Sequence, residues 1–127
     1  MDDVVGLRAV KAAARIPVAA GESWFGPAEV SARTVASGID VVMLDLQRVG
    51  GVTGWRRAAN ASKQAEVSPH LFPEVSVHLM AAVNRSGLLE YVPWFNDLFV
   101  EDVAPRAGRL STTDRPGLGL TFKPGLA

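Results

Sequence analysis

The chain has 127 residues, no cysteine, and 13 Lys+Arg balanced by 13 Asp+Glu. That length is one domain's worth. Zero formal charge argues against nucleic-acid and membrane-surface partners, and the lack of thiols excludes disulfides and fits a cytoplasmic protein. No apolar run approaches the roughly 20 residues of a membrane helix. The start, MDDVVGLRAV, is acidic where a signal peptide is basic.

In chain order, Asp2 or Asp3 is placed to cap a helix reaching about Arg15, with Val4, Leu7, Val10 and Ala14 on one face. Ile16–Ala20 reads as a strand, with Pro17 tolerable near its start and small residues suited to a crowded barrel interior. A second helix spans Pro27–Ser37, opened by the proline and stopped by Gly38. Ile39–Leu44 is an almost unbroken apolar run, the pattern of a strand buried on both faces. Gly50-Gly51 opens a loop, and Thr53 can cap a helix to about Gln64. Val67–His70 is a short strand, Pro73–Val83 a helix carrying Val75, Leu79, Met80 and Val83 at helical spacing, and Leu88–Tyr91 a fourth strand. After Pro93, WFNDLFVED reads as a loop or a short helical turn. The tail, with Pro105, Pro116 and Pro124 among its glycines, reads as irregular.

Glu22, Asp45, His70 and Glu90 recur at intervals of 20–25 residues, each closing a short apolar run. A functional side chain at the C-terminal end of each strand is the rhythm of a (β/α) barrel. A complete eight-stranded barrel needs about 200–250 residues, so this α/β chain holds about half of one. Two carboxylates and a carboxylate–histidine pair on one rim point to metal-assisted proton chemistry on an acid substrate. Removing a proton next to a carboxylate requires a divalent cation on its oxygens and a hydrogen-bond donor opposite. Hard oxygens such as those of Glu22 suit Mg²⁺. An imidazole titrates in the useful range, and a carboxylate behind it fixes the tautomer.

Several strings in order resemble one family: IPVAAGES, VVMLDLQRVGGVTGW, SPHLFPEVSVHLMAA, LLEYVPW and the closing DRPGLGLTF. Together they are similar to the enolase superfamily, mandelate racemase/muconate lactonizing enzyme family, over nearly the whole chain. The resemblance implies the C-terminal half of an enolase-type barrel with about four parallel strands. It further implies that Glu22 is one of three Mg²⁺ carboxylates, His70 the general base or acid, Asp45 its orienting partner, and Glu90 a hydrogen-bonding partner of the substrate carboxylate. The muconate-lactonizing subgroup has a lysine at the position of Asp45, so the Asp45–His70 pair favours the racemase or acid-sugar dehydratase type, acting on a small carboxylate or sugar acid.

The family also uses two further metal carboxylates, a lysine motif and an N-terminal capping domain, none of which matches a segment of these 127 residues. The expectation is therefore a chain inactive alone, completed by a missing N-terminal half or a second copy, and prone to self-association through its open sheet edges. The alternative is a non-catalytic remnant or a subunit needing a separately encoded N-terminal half. Asn60–Val67 lacks the usual glycine turn and is short, so the helix before it must end early or the strand start late.

Taken singly, each rim residue has a plainer reading as a solvated loop or strand-end side chain. Their shared register carries the functional one. Arg48 reads as a rim substrate contact or a salt-bridge partner, His78 as a helix-face residue, and Trp24, Trp55 and Trp94 as packing residues. Gly50-Gly51 lacks the spacing of a phosphate-binding loop.

Overall fold

The computed structural model describes residues 3–126. In chain order these form α1 (Val4–Ala13), β1 (Ala19–Ala20), α2 (Gly26–Ser37), β2 (Val41–Asp45), α3 (Gly51–Ala61), β3 (Glu66–His70), α4 (Pro73–Ala81) and a 3₁₀ turn, Asn96–Leu98. The strands make one parallel sheet in the order β1-β2-β3. Each helix packs against the next, α1 on α2, α2 on α3 and α3 on α4. This is the α/β half-barrel arrangement, with three regular strands among the described residues. None of their helices is long and apolar enough to cross a membrane.

Local chemistry sets the boundaries. Asp3 caps α1 by accepting from Gly6 N–H at 2.7 Å, whereas Asp2 lies outside the described residues. α1 stops at Ala13, two residues early, because the chain turns extended at Ala14 ahead of Pro17. β1 is shorter than expected. Pro17 has no N–H, and the Val18 N–H is taken by the Asp40 side chain at 2.7 Å, so regular pairing begins at Ala19. Asp40 also meets Lys11 at 2.8 Å, fastening α1 to the start of β2. α2 follows its signals, with Pro27 in the first turn and Gly38 closing it in the left-handed conformation at φ 66°. α3 begins earlier than Thr53 would place it. Gly50, left-handed at φ 91°, precedes the helix, and Thr53 lies within it.

β2 is not buried on both faces. Val42 and Leu44 are fully buried, while Val41 and Met43 are only half-buried. The buried face meets the helices, where Val30, Trp55, Ala58, Val67, Leu79 and Met80 form the core. The other face would line a barrel interior, and β1 stays partly exposed beside it.

The expected fourth strand is the main correction. In β3, both polar groups of the Val67 backbone face the 85–91 segment: Val67 N–H donates to Arg85 O and Gly87 N–H to Val67 O, each at 2.8 Å. The next β3 residue facing that way is Pro69, which has no N–H to continue the ladder. Pairing therefore stops at a single parallel bridge, Val67 to Ser86. Leu88–Tyr91 runs alongside as irregular chain, held by Ser68 Oγ donating to Leu88 O at 2.6 Å.

The short α3–β3 connection resolves by an early helix end, at Ala61. Arg85 compensates for the missing turn. Its guanidinium donates to Ser62 O at 2.7 Å, to Ala59 O at 2.9 Å and to Ala65 O. The tail is irregular but anchored. Phe99 stacks on Phe122, and Tyr91 Oη donates to Val103 O at 2.9 Å. Trp24 and Trp55 are buried packing residues, whereas Trp94 is 67% exposed and packs little. His78 is half-buried on α4, as a helix-face residue should be.

Candidate active site

Asp45 and His70 end β2 and β3 and stand opposite one another in the parallel register. Register alone therefore brings them together, on the same face of the sheet and at the same end. Asp45 is 5% exposed. Its Oδ1 accepts from Gln47 N–H and Arg48 N–H, both at 2.9 Å, a turn in which the side chain satisfies the loop backbone. Its Oδ2 lies 2.8 Å from His70 Nδ1. An ionised carboxylate only accepts, so in the neutral imidazole the proton sits on Nδ1 and Nε2 keeps its lone pair.

Glu22 follows β1 and reaches the same end of the sheet. Its Oε2 is 3.5 Å from His70 Nε2, and its side chain is 53% exposed. Arg48 Nη1 donates to the Glu22 backbone carbonyl at 2.7 Å. Arg48 thus ties the loop after β1 to the loop after β2, a role outside both of the expectations for it.

Glu90 joins the site differently. Its Oε2 accepts from Leu71 N–H at 2.8 Å, directly after His70. Leu71 and Phe72 both adopt the left-handed conformation, at φ 58° and 50°. For side chains of that size this costs roughly 1–2 kcal/mol per residue. Ser76 Oγ donates to Leu71 O at 2.9 Å, and Phe72 stacks on Phe95 with centroids 5.7 Å apart. Nothing in the sequence announces this turn, because leucine and phenylalanine rarely adopt positive φ.

The described residues do not by themselves fit a Mg²⁺ site. Among them, no group of three or more His, Cys, Asp and Glu side chains converges to hold a metal. Glu22 offers one hard carboxylate, and a single one does not displace the waters of Mg²⁺. The constellation is a hydrogen-bonded carboxylate–imidazole pair with one exposed carboxylate in front of it and another behind the turn that follows.

Comparison with known proteins agrees with the fold. The Enolase C-terminal domain-like family model matches residues 1–126. The chain is 34% identical over 122 residues to L-talarate/galactarate dehydratase of Salmonella typhimurium, covering 94% of this chain and 31% of that protein. It superposes on L-talarate dehydratase from Polaromonas sp. JS666, solved with Mg and L-glucarate, with a TM-score of 0.88 at 34% identity, covering 96% of this chain and 33% of that one. A mandelate racemase/muconate lactonizing enzyme from the same organism matches with the same TM-score and identity, over 96% of this chain and 34% of that one. The chain spans about a third of the length of these relatives. It belongs to the Enolase C-terminal domain-like family, in the enolase superfamily and of the mandelate racemase type.

Proposed function

We propose that this chain contributes the general base of an acid-sugar dehydratase that abstracts the proton α to a carboxylate. The observation that carries the reading is the 2.8 Å contact between His70 Nδ1 and Asp45 Oδ2. It leaves Nε2 as the only ring atom able to accept a proton. His70 then takes the α-proton at Nε2, and Asp45 stabilises the imidazolium that forms. Glu90, as the neutral acid, donates a hydrogen bond from Oε1 to the substrate carboxylate as it takes on enediolate character. Glu22 supplies one ligand to Mg²⁺, the ion present in the Polaromonas L-talarate dehydratase structure. The remaining ligands, the opposite-face base and the capping domain would come from outside these 127 residues. A sugar acid is favoured as substrate by the relatives that are talarate and galactarate dehydratases. Dehydration and racemisation begin with the same proton abstraction, and those relatives favour dehydration.

The test is a chimera in which this chain replaces the corresponding third of the Salmonella typhimurium dehydratase. Exchange of the α-proton of galactarate in deuterated water should appear with Mg²⁺ and vanish in the His70→Asn chimera. A folded chimera that releases keto acid equally well with and without His70 would overturn the assignment. The isolated chain should show no exchange.

A further inference from the structure

We propose that Glu90 is also a positioning residue for His70, acting through the Leu71–Phe72 turn. The consequence for catalysis rests on the proposed role of His70 as base, but the positioning itself does not.

His70 is held on one side by its place opposite Asp45 in the β2–β3 register. On the other side the chain enters two consecutive left-handed residues, Leu71 and Phe72. Such a pair persists only when its surroundings fix it. The peptide joining His70 to Leu71 is the lever. Its orientation is the ψ torsion of His70, and its N–H is clamped by Glu90 Oε2 at 2.8 Å. The far end of the turn is fixed by Ser76 Oγ on Leu71 O and by Val75 N–H and Ser76 N–H on Phe72 O.

The clamp matters because the regular ladder has already ended. Pro69 cannot donate toward the 85–91 segment, so after the Val67 bridge no backbone pair among the described residues holds the end of β3 on that side. Glu90 reaches across from that segment and uses its side chain where a fourth strand would use its backbone. If the clamp opens, Leu71 and Phe72 can relax toward ordinary torsions, the peptide after His70 turns with them, and the 2.8 Å contact of His70 with Asp45 is lost. The bond also occupies one Glu90 oxygen, so a single oxygen, Oε1, remains for a substrate carboxylate.

The experiment uses the whole chain labelled with ¹⁵N-histidine. His70 and His78 are its two histidines, and a His78→Asn background assigns the remaining signal to His70. In the parent, the Nδ1–H tautomer should dominate. Glu90→Ala should release His70 into a mixture of tautomers and speed exchange of the Leu71 amide by about tenfold, the loss of one hydrogen bond. Glu90→Gln keeps an acceptor oxygen and should preserve both readouts. An unchanged tautomer and amide in folded Glu90→Ala would overturn the proposal, as would a Glu90→Gln chain that behaves like a folded Glu90→Ala. If Glu90→Ala does not fold, the Leu71 amide of Glu90→Gln decides: protection retained supports the clamp, and protection lost overturns it. These readouts need no substrate, so their failure is separable from failure of the chimera to exchange an α-proton.

Discussion

Asp45 spends its two carboxylate oxygens on different tasks: Oδ1 on the Gln47 and Arg48 amides of its own loop, Oδ2 on His70 Nδ1. The loop bonds hold the carboxylate independently of the histidine, so the imidazole meets a rigid partner. Asp45→Ala removes all three bonds from a buried position and should lower stability by about 1–3 kcal/mol. Asp45→Asn keeps one oxygen for the loop and should cost less. Urea midpoints of the two variants check this, and an Asn variant less stable than the Ala variant would show that the loop bonds contribute little.

Arg85 supports the site from the opposite end of the strands. Three carbonyls near the end of α3 depend on its guanidinium, at Ala59, Ser62 and Ala65. Arg85→Met should destabilise the chain by about 2–3 kcal/mol, since it strips a charged donor from part-buried acceptors. Arg85→Lys should be intermediate, because a single ammonium cannot reproduce the planar fork. Chemical denaturation gives both values, and equal stability of Met and Lys variants would count against the fork.

The rim was legible in the sequence because spacing and register are local properties. An apolar run fixes where β2 and β3 end, and parallel pairing of equal-length strands then sets Asp45 beside His70. Pro27 with Gly38, and Pro73, likewise marked helix ends correctly. The fourth strand was misread because its fate depends on which way the Pro69 backbone faces, and that follows only from the register. The Arg85 clasp was invisible for a similar reason, as its partners lie 20 to 26 residues away. The left-handed turn at Leu71 and Phe72 runs against the preferences of both residues. The roles of the rim residues came from family resemblance, since spacing says where a side chain sits and little about what it binds.

Two carboxylates should give opposite pH responses. Glu101 is pulled down to about 2, first by the Thr121 N–H and then by the Arg115 guanidinium. A depressed folded pKa stabilises above the unfolded value and loses that effect as pH falls through the folded one. The Glu101 clasp on the tail should thus hold at neutral pH and weaken between the ordinary glutamate range and about 2. Glu74, buried with Oε1 unpartnered, is raised by desolvation. Its contribution has the reverse sign: favourable at acid pH, and lost as pH rises through its folded pKa. Glu74→Gln should therefore unfold later than the parent at pH 7, with the difference closing below the glutamate range. Amide exchange at Thr121 and paired urea titrations at pH 7 and pH 3 separate the two. A Glu74→Gln gain that grows on acidification would refute the assignment.

Gly54 makes a prediction against helix propensity. It lies inside α3, where alanine normally gains about 1 kcal/mol over glycine. Here a Cβ would stand 1.8 Å from the Val49 carbonyl oxygen, a backbone atom with no freedom to swing aside. Val49 is itself buried and closes the loop that carries Arg48, so α3 can sit this close to the rim loop only with glycine at that point. Gly54→Ala should destabilise by about 2 kcal/mol or more, as overpacking does, and should push α3 away from the β2 loop. Gly50, also beside this helix but with open space around it, provides the control. Gly50→Ala meets only the penalty of its positive φ, so it should cost about 1 kcal/mol. Thermal unfolding of the pair should rank Gly54→Ala as the more damaging, and a stabilised Gly54→Ala would mean that the helix does not approach the loop this closely.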